Sequence, residues 1–248
     1  MPIKILVGCC CLLVLTCRYF MGCYAPTAQV KGPQAAQLAS AAPSAREADE
    51  RLLADVAAFA SHEGRAEEAW ARLNSRPQAE TLYRLNRLSA SLPVRDRNRV
   101  LIAFALCHLG GDYSANKQVV LSSLAKKPPY DEFSGDWAAS LVIRLARRGD
   151  KSVLPHLFAS ADWADGATGA DLQGFFTKEL KSEPGVFLSN LEGTPPAIRQ
   201  KVYGLLDPYG LSDADRRELQ AYFKSVSKPS AAAPLADELL RALPPPKK

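Results

Sequence analysis

Three histidines limit the chemistry open to this chain of 248 residues. His62-Glu63 begins like a helical zinc motif, in which two histidines one turn apart flank a glutamate base. The second histidine would stand at position 66, which is Ala66, so the ligand pair is missing. Glu63, Glu67 and Glu68 therefore read as a solvated helix face. Cys107 and His108 are adjacent, and helical neighbours point about 100° apart. They cannot serve each other as nucleophile and base, and they read as a core cysteine beside a half-buried histidine. His156 follows Pro155 and has no histidine or cysteine near it in sequence.

The stretch from Ser160 to Asp171 holds Asp162, Asp165 and Asp171 with Gly166 and Gly169. Three carboxylates could suggest a cation, but the alternating ligands and closing glutamate of a calcium loop are absent. A surface turn with helix-capping aspartates is the simpler reading. Trp163 lies inside it. An aromatic in a polar, glycine-containing loop is either folded back as a plug or exposed as an anchor for a partner. It is the one candidate partner-binding residue.

Residues 23–248 contain no glycine-rich phosphate loop, no nucleophile-elbow pattern and no paired-cysteine motif. Arg84, Arg87, Arg95, Arg97 and Arg99 against Asp96 form a locally basic stretch. It suits phosphate-bearing head groups, an acidic partner or a solvated helix end. The net charge of +5 is modest, and nucleic-acid recognition would need a more concentrated basic face. No catalytic set, metal site, cofactor or nucleic-acid partner is expected. A cell-envelope enzyme is the alternative, with Glu179, Glu183 and Asp207 as the available carboxylates, and it would need one of them buried in a cleft. A carrier of hydrophobic ligands would need a deep apolar cavity instead.

The elements that would position these residues all read as helices. Ser44 and Glu47 form a capping box, followed by Leu52, Leu53, Val56, Phe59 and Ala60 at helical spacing. Gly64 breaks the run, and residues 66–73 resume it. Ser75 with Gln78 is a second possible box, before Leu82, Leu85, Leu88 and Leu92. Residues 100–109 (VLIAFALCHL) are apolar almost all round, which predicts the most buried helix. Trp137, Ala138, Leu141, Val142 and Leu145 make a stripe, with Arg144, Arg147 and Arg148 on or beside the opposite face. Thr194 and Pro195 predict a helix start, and Ser212 predicts another. No segment sustains a period of two, so the expected class is all-α, with about ten to twelve short helices and essentially no sheet.

The turns Leu109-Gly-Gly-Asp112 and Arg148-Gly-Asp150 each end one apolar helix and start another. Residues 137–160 resemble a HEAT-type repeat. The segments at 64–69 and 111–113 resemble turn-plus-helix pieces of tetratricopeptide repeats. Together these resemblances cover about half the chain, meet neither full consensus, and imply short antiparallel helices in an irregular α-solenoid. A compact helical bundle is the alternative.

The composition bounds the class: 47% of residues are hydrophobic and 23% charged, enough apolar content for a real core. The first residues read as an address. Lys4 precedes the apolar stretch Ile5 to Cys17, the length of a signal-peptide core. Gly22-Cys23 then resembles the lipobox of bacterial lipoproteins, in which a small residue precedes the cysteine that is acylated. Phe20, Met21 and Arg18 depart from that pattern. The resemblance implies cleavage before Cys23 and lipidation, including palmitate, on it. Tyr24 rather than Asp after the cysteine implies the outer membrane. An uncleaved anchor is the alternative; Arg18 within it would cost about 2.5–3.5 kcal/mol unless it snorkels.

Cleavage would remove four of the six cysteines and lower the net charge from +5 to +3, leaving Cys107 without a disulfide partner. The expected organisation is a signal over 1–22, a lipid site and flexible tether over 23–43, and a helical domain over 44–227. A linker, short helix and tail follow over 228–248. The expected function is a lipid-anchored, periplasm-facing binding or scaffold protein, held to the membrane by its lipid and engaging a protein or envelope polymer.

Overall fold

The computed structural model of the chain describes residues 44–61, 64–94, 96–124, 135–207, 209–226 and 232–243. The lipobox-like junction at Gly22-Cys23, the tether, His62, Glu63, Arg95, the linker at 227–231 and the tail at 244–248 lie outside the described residues.

The protein is all-α. Among the described residues there are twelve α-helices and no strand. They are α1 (Ala45–Ala60), α2 (Ala66–Asn74), α3 (Gln78–Ser91), α4 (Arg97–Leu109), α5 (Tyr113–Ser122) and α6 (Gly135–Arg147), then α7 (Leu154–Ser160), α8 (Gly166–Ser182), α9 (Pro184–Leu191), α10 (Pro196–Gly204), α11 (Asp213–Val226) and α12 (Ala233–Ala242). A 3₁₀ turn, Lys151–Val153, leads into α7. No helix among the described residues is long and apolar enough to cross a membrane.

Local side chains set most boundaries. The Glu47 amide donates to Ser44 Oγ at 3.2 Å and the Ser44 amide donates to Glu47 Oε2 at 2.8 Å, the expected capping box. Ser212 does the same for α11, with Asp215 as the reciprocal partner. The box expected at Ser75 and Gln78 does not form. Ser75 ends α2, its hydroxyl donating to the Arg72 carbonyl, and Pro77 occupies the cap of α3. Gln78 is thereby released to reach the end of α4. Likewise α10 is capped by Pro195 with Pro196 inside it, one residue later than expected, and Thr194 donates back to Asn190 instead.

The two Gly-Asp turns share one mechanism. Gly110 and Gly149 hold φ of 86° and 102°, the left-handed conformation that ends a helix without a Cβ penalty. The next amides, of Gly111 and Asp150, donate back to Leu106 and Leu145. Asp112 then caps α5, and Asp150 caps the 3₁₀ turn. The turns are also tied together: Tyr113 and Lys117 of α5 both donate to Asp150.

Packing runs mainly between helices that are close in sequence. α4 sits against α1, α3 and α5, which explains why it is apolar all round: every residue from Val100 to Cys107 is buried. α6 carries the core onward to α8, and α7 and α9 pack on each other and on α8 or α10. α12, expected beyond a linker, packs on α9, α10 and α11. Its Glu238 accepts from Arg199 at 2.9 and 3.0 Å and from Tyr203 at 2.9 Å.

Two aromatic clusters mark the core. Phe59, Trp70, Phe104 and His108 join α1, α2 and α4, with ring centroids 4.4–6.1 Å apart. Phe158, Phe175, Phe176 and Phe187 join α7, α8 and α9 at 5.1–6.2 Å. Arg144 departs from expectation. It is partly buried; its guanidinium lies over the rings of Phe59 and Phe104, and its Nη1 donates to the carbonyls of Phe59 and Ala60 at the end of α1.

Candidate functional site

Helix α1 carries its apolar stripe of Leu52, Val56 and Phe59 between two carboxylates, Asp49 and Asp55. Each carboxylate takes two guanidiniums from across the seam. Asp55 accepts from Arg72 at 2.7 Å and from Arg76. Asp49 lies 3.6 Å from Arg84 and accepts from Arg87. Arg84 is shared, because its Nε also meets Glu80 at 3.1 Å. The seam is thus built by electrostatic pairing at the rim of a hydrophobic contact. Such partly exposed pairs contribute modestly to stability, but they fix where the arginines stand.

Two clefts open along this seam. The first lies between α1 and α3, about 230 Å³ in volume, and is walled by Arg51, Arg76, Glu80 and Arg84 over Leu52 and Pro77. The second, about 280 Å³, lies between the end of α2 and the end of α4 and is lined by Asn74, Gln78, His108 and Gly110. Arg76 and Thr81 line both, so the clefts adjoin. Gln78 Nε2 donates to the Leu109 carbonyl at 2.9 Å, which satisfies the α4 end and shapes the second cleft. Arg51 is exposed, and among the described residues it has no ion pair.

His108 borders the second cleft from inside. Its Nδ1 donates to the Phe104 carbonyl at 2.9 Å, and its ring packs on Phe59, Trp70 and Phe104. Burial lowers its pKa from an ordinary 6.5 to about 4; the Phe104 hydrogen bond opposes this, and Arg148 and Arg144 add to it. Between those values the unfolded chain binds a proton that the folded chain does not. This contribution to stability is therefore complete above about pH 6.5 and is lost as the pH falls toward about 4. The urea midpoint should drop across that window, and His108→Gln should flatten the drop. An unchanged slope in the variant would assign the effect elsewhere. Asp150 does not share the window. Burial opposes its ionisation, but hydrogen bonds from Ser152, Tyr113 and Lys117 hold it at about 2.

A third cleft of about 290 Å³ is lined by Cys107, Tyr113, Leu145, Arg148 and Asp150. Burial pushes the Cys107 thiol up to about 11, against the opposing charges of Lys117 and Arg148, so it is protonated at neutral pH. Cys107 faces Tyr113 while His108 faces the aromatic cluster, as their adjacency on one helix requires.

The remaining sequence candidates are scattered. Asp162 meets Lys201 at 2.6 Å. Asp165 stands exposed at the start of α8 without a side-chain cap bond. Asp171, expected in the loop, lies on α8 and accepts from Ser140 at 3.0 Å. The helix begins inside the stretch expected to be a turn, at Gly166, with φ of 46°. Among the described residues no group of three or more histidines, cysteines or carboxylates could hold a metal. Trp163 is half-buried and packs against the core. Glu179 and Glu183 share Lys151. Asp207 belongs to a turn, its amide donating to Thr177 and its carboxylate accepting from the Tyr209 amide. His156 is exposed. In the basic stretch, Arg97 lies over Trp137, Arg99 donates to the Leu92 carbonyl and Asp96 caps α4.

Arg84 and Arg87 stand out in the sequence as part of a basic stretch, whereas Arg51, Arg72 and Arg76 do not. The available signal was the pair Asp49 and Asp55 flanking a clean apolar stripe. Comparison with protein-family models, with curated proteins and with solved structures finds no match to this chain.

Proposed function

We propose that this chain is a lipid-anchored, periplasm-facing binding or scaffold protein. Cys23 carries the lipid, residues 24–43 are the tether, and the helical body engages a protein partner close to the membrane. The observation that carries this reading is the pair of adjoining clefts on α1–α4, divided by Arg76 and lined by guanidiniums, amides and an apolar floor. Arginine and aromatic side chains over apolar patches are what protein interfaces favour. A tether adds to this by raising the effective concentration of the module at the membrane. We read the body as an irregular α-solenoid, a reading supported by the contacts between successive helices α1 and α2, α4 and α5, and α11 and α12.

The envelope-enzyme alternative has less support. Lys151 pairs with both Glu179 and Glu183, and Asp207 is occupied in shaping its own turn. Two measurements on native membranes test the proposal. The intact mass should correspond to a chain starting at Cys23 with acyl mass added; a mass retaining Met1 would overturn the lipid anchor. A photo-crosslinker replacing Asn74, in the second cleft, should form a discrete adduct that one replacing Gln200 on α10 does not. Identical adducts at both positions would overturn the clefts as the binding face.

A further inference from the structure

We infer that the cleft between α1 and α3 receives an acidic segment of a partner protein, with Arg51 as the residue that reads its charge. This rests on the binding reading above and names the chemistry of the occupant. Arg51 lines the cleft, is exposed, and has no ion pair among the described residues. Arg76 and Arg84 flank the same space, and each spends only part of its five N–H donors on Asp55, Asp49 and Glu80. A carboxylate entering there meets donors already aimed by the seam, with little ordering left to do. The floor of Leu52 and Pro77 suits the methylene stem of an acidic side chain. At about 230 Å³ the space is below the range usual for drug-sized ligands or cofactors.

Two features favour a protein segment over a single small anion. The arginines run along the seam, Arg72, Arg76, Arg84 and Arg87 sharing two α1 carboxylates, so a chain with several acidic residues can use more than one of them. Tyr83 is 68% exposed on α3, three residues from Glu80 and four from Arg87, which puts it beside the same row. An exposed tyrosine next to an arginine-walled cleft is an interface pair rather than an ion pocket.

The test uses the full chain in neutral detergent micelles, titrated calorimetrically with a capped oligoglutamate peptide, a capped oligolysine peptide and inorganic phosphate. The glutamate peptide should bind saturably and weaken with added salt, and the lysine peptide should not bind. Arg51→Glu should weaken the glutamate peptide about tenfold or more, while Arg217→Glu, on exposed α11 surface, should leave it unchanged. Glu80→Gln frees Arg84 from its rim partner and should tighten binding. Circular dichroism melting confirms that each variant is folded. Equal binding by wild type and Arg51→Glu overturns the proposal, as does phosphate competing fully with the peptide, which would mark a pocket for small anions. Absence of peptide binding alongside an Asn74 crosslink would overturn the acidic occupant while leaving the binding role in place.

Discussion

Replacing Arg144 by methionine is expected to destabilise the folded chain by about 2–4 kcal/mol. The guanidinium donates to the Phe59 carbonyl at 2.9 Å and to the Ala60 carbonyl at 3.2 Å, and its carbon lies 4.9 and 4.7 Å from the ring centres of Phe59 and Phe104. α1 ends at Ala60 with no basic residue of its own in the last turn. Arg144 therefore supplies, from α6, the cation that a helix C-terminus favours. Hydrogen bonds from a charged donor contribute about 1.5–3 kcal/mol, and a partly desolvated cation–π contact about 0.5–2. Methionine keeps the apolar stem and removes both. Arg144→Lys keeps the charge but not the planar fork, so its loss should be intermediate. Urea unfolding monitored by circular dichroism should show a lower midpoint at unchanged slope. A methionine variant within about 0.5 kcal/mol of wild type would return Arg144 to the solvated surface.

Phe176→Ala should have an effect of similar or larger size, about 3–5 kcal/mol. Phe176 is fully buried on α8, with ring centroids 5.3 Å from Phe158, 5.9 Å from Phe175 and 6.2 Å from Phe187. Those rings come from α7, α8 and α9, so the truncation opens a void where three helices meet, and interiors this tightly packed relax only partly. Tyr209→Ala is the matched control. That ring is 94% exposed, and its loss should change stability by no more than about 0.5 kcal/mol. Equal midpoints for the two variants would mean that the second aromatic cluster does not hold these helices together.

The all-helical class was legible because the signals for it are local. The Ser44 capping box, the Leu52–Val56–Phe59 stripe and the two Gly-Asp turns each depend on residues within about one or two turns of each other. The burial of residues 100–109 was legible too, since a helix without a polar face has nowhere else to lie. Two adjacent prolines offered nearly equal starts for α10, whereas Ser75, a good cap by residue type, was taken up by the end of α2 and left the start of α3 to Pro77. The chain over 166–171 looked like a loop because two glycines and a threonine carry little helical preference. Packing of Thr168, Gly169 and Leu172 into the core overrides that weak local bias.

The helices, the buried face of most of them and the separation of Cys107 from His108 are readable in the order of residues, because they follow from a repeat of 3.6 residues and from turn chemistry a few positions long. The long-range pairings are not. Arg144 and the carbonyl it caps are 85 residues apart, and Arg87 and Asp49 are 38 apart. No periodicity relates such pairs. Whether a guanidinium meets water, an aromatic ring, a carboxylate or an empty cleft depends on which helix is laid beside its own. The arginines of the α1–α3 seam look alike in sequence, and only packing distinguishes Arg51, which faces open space, from Arg76, which is already held by Asp55.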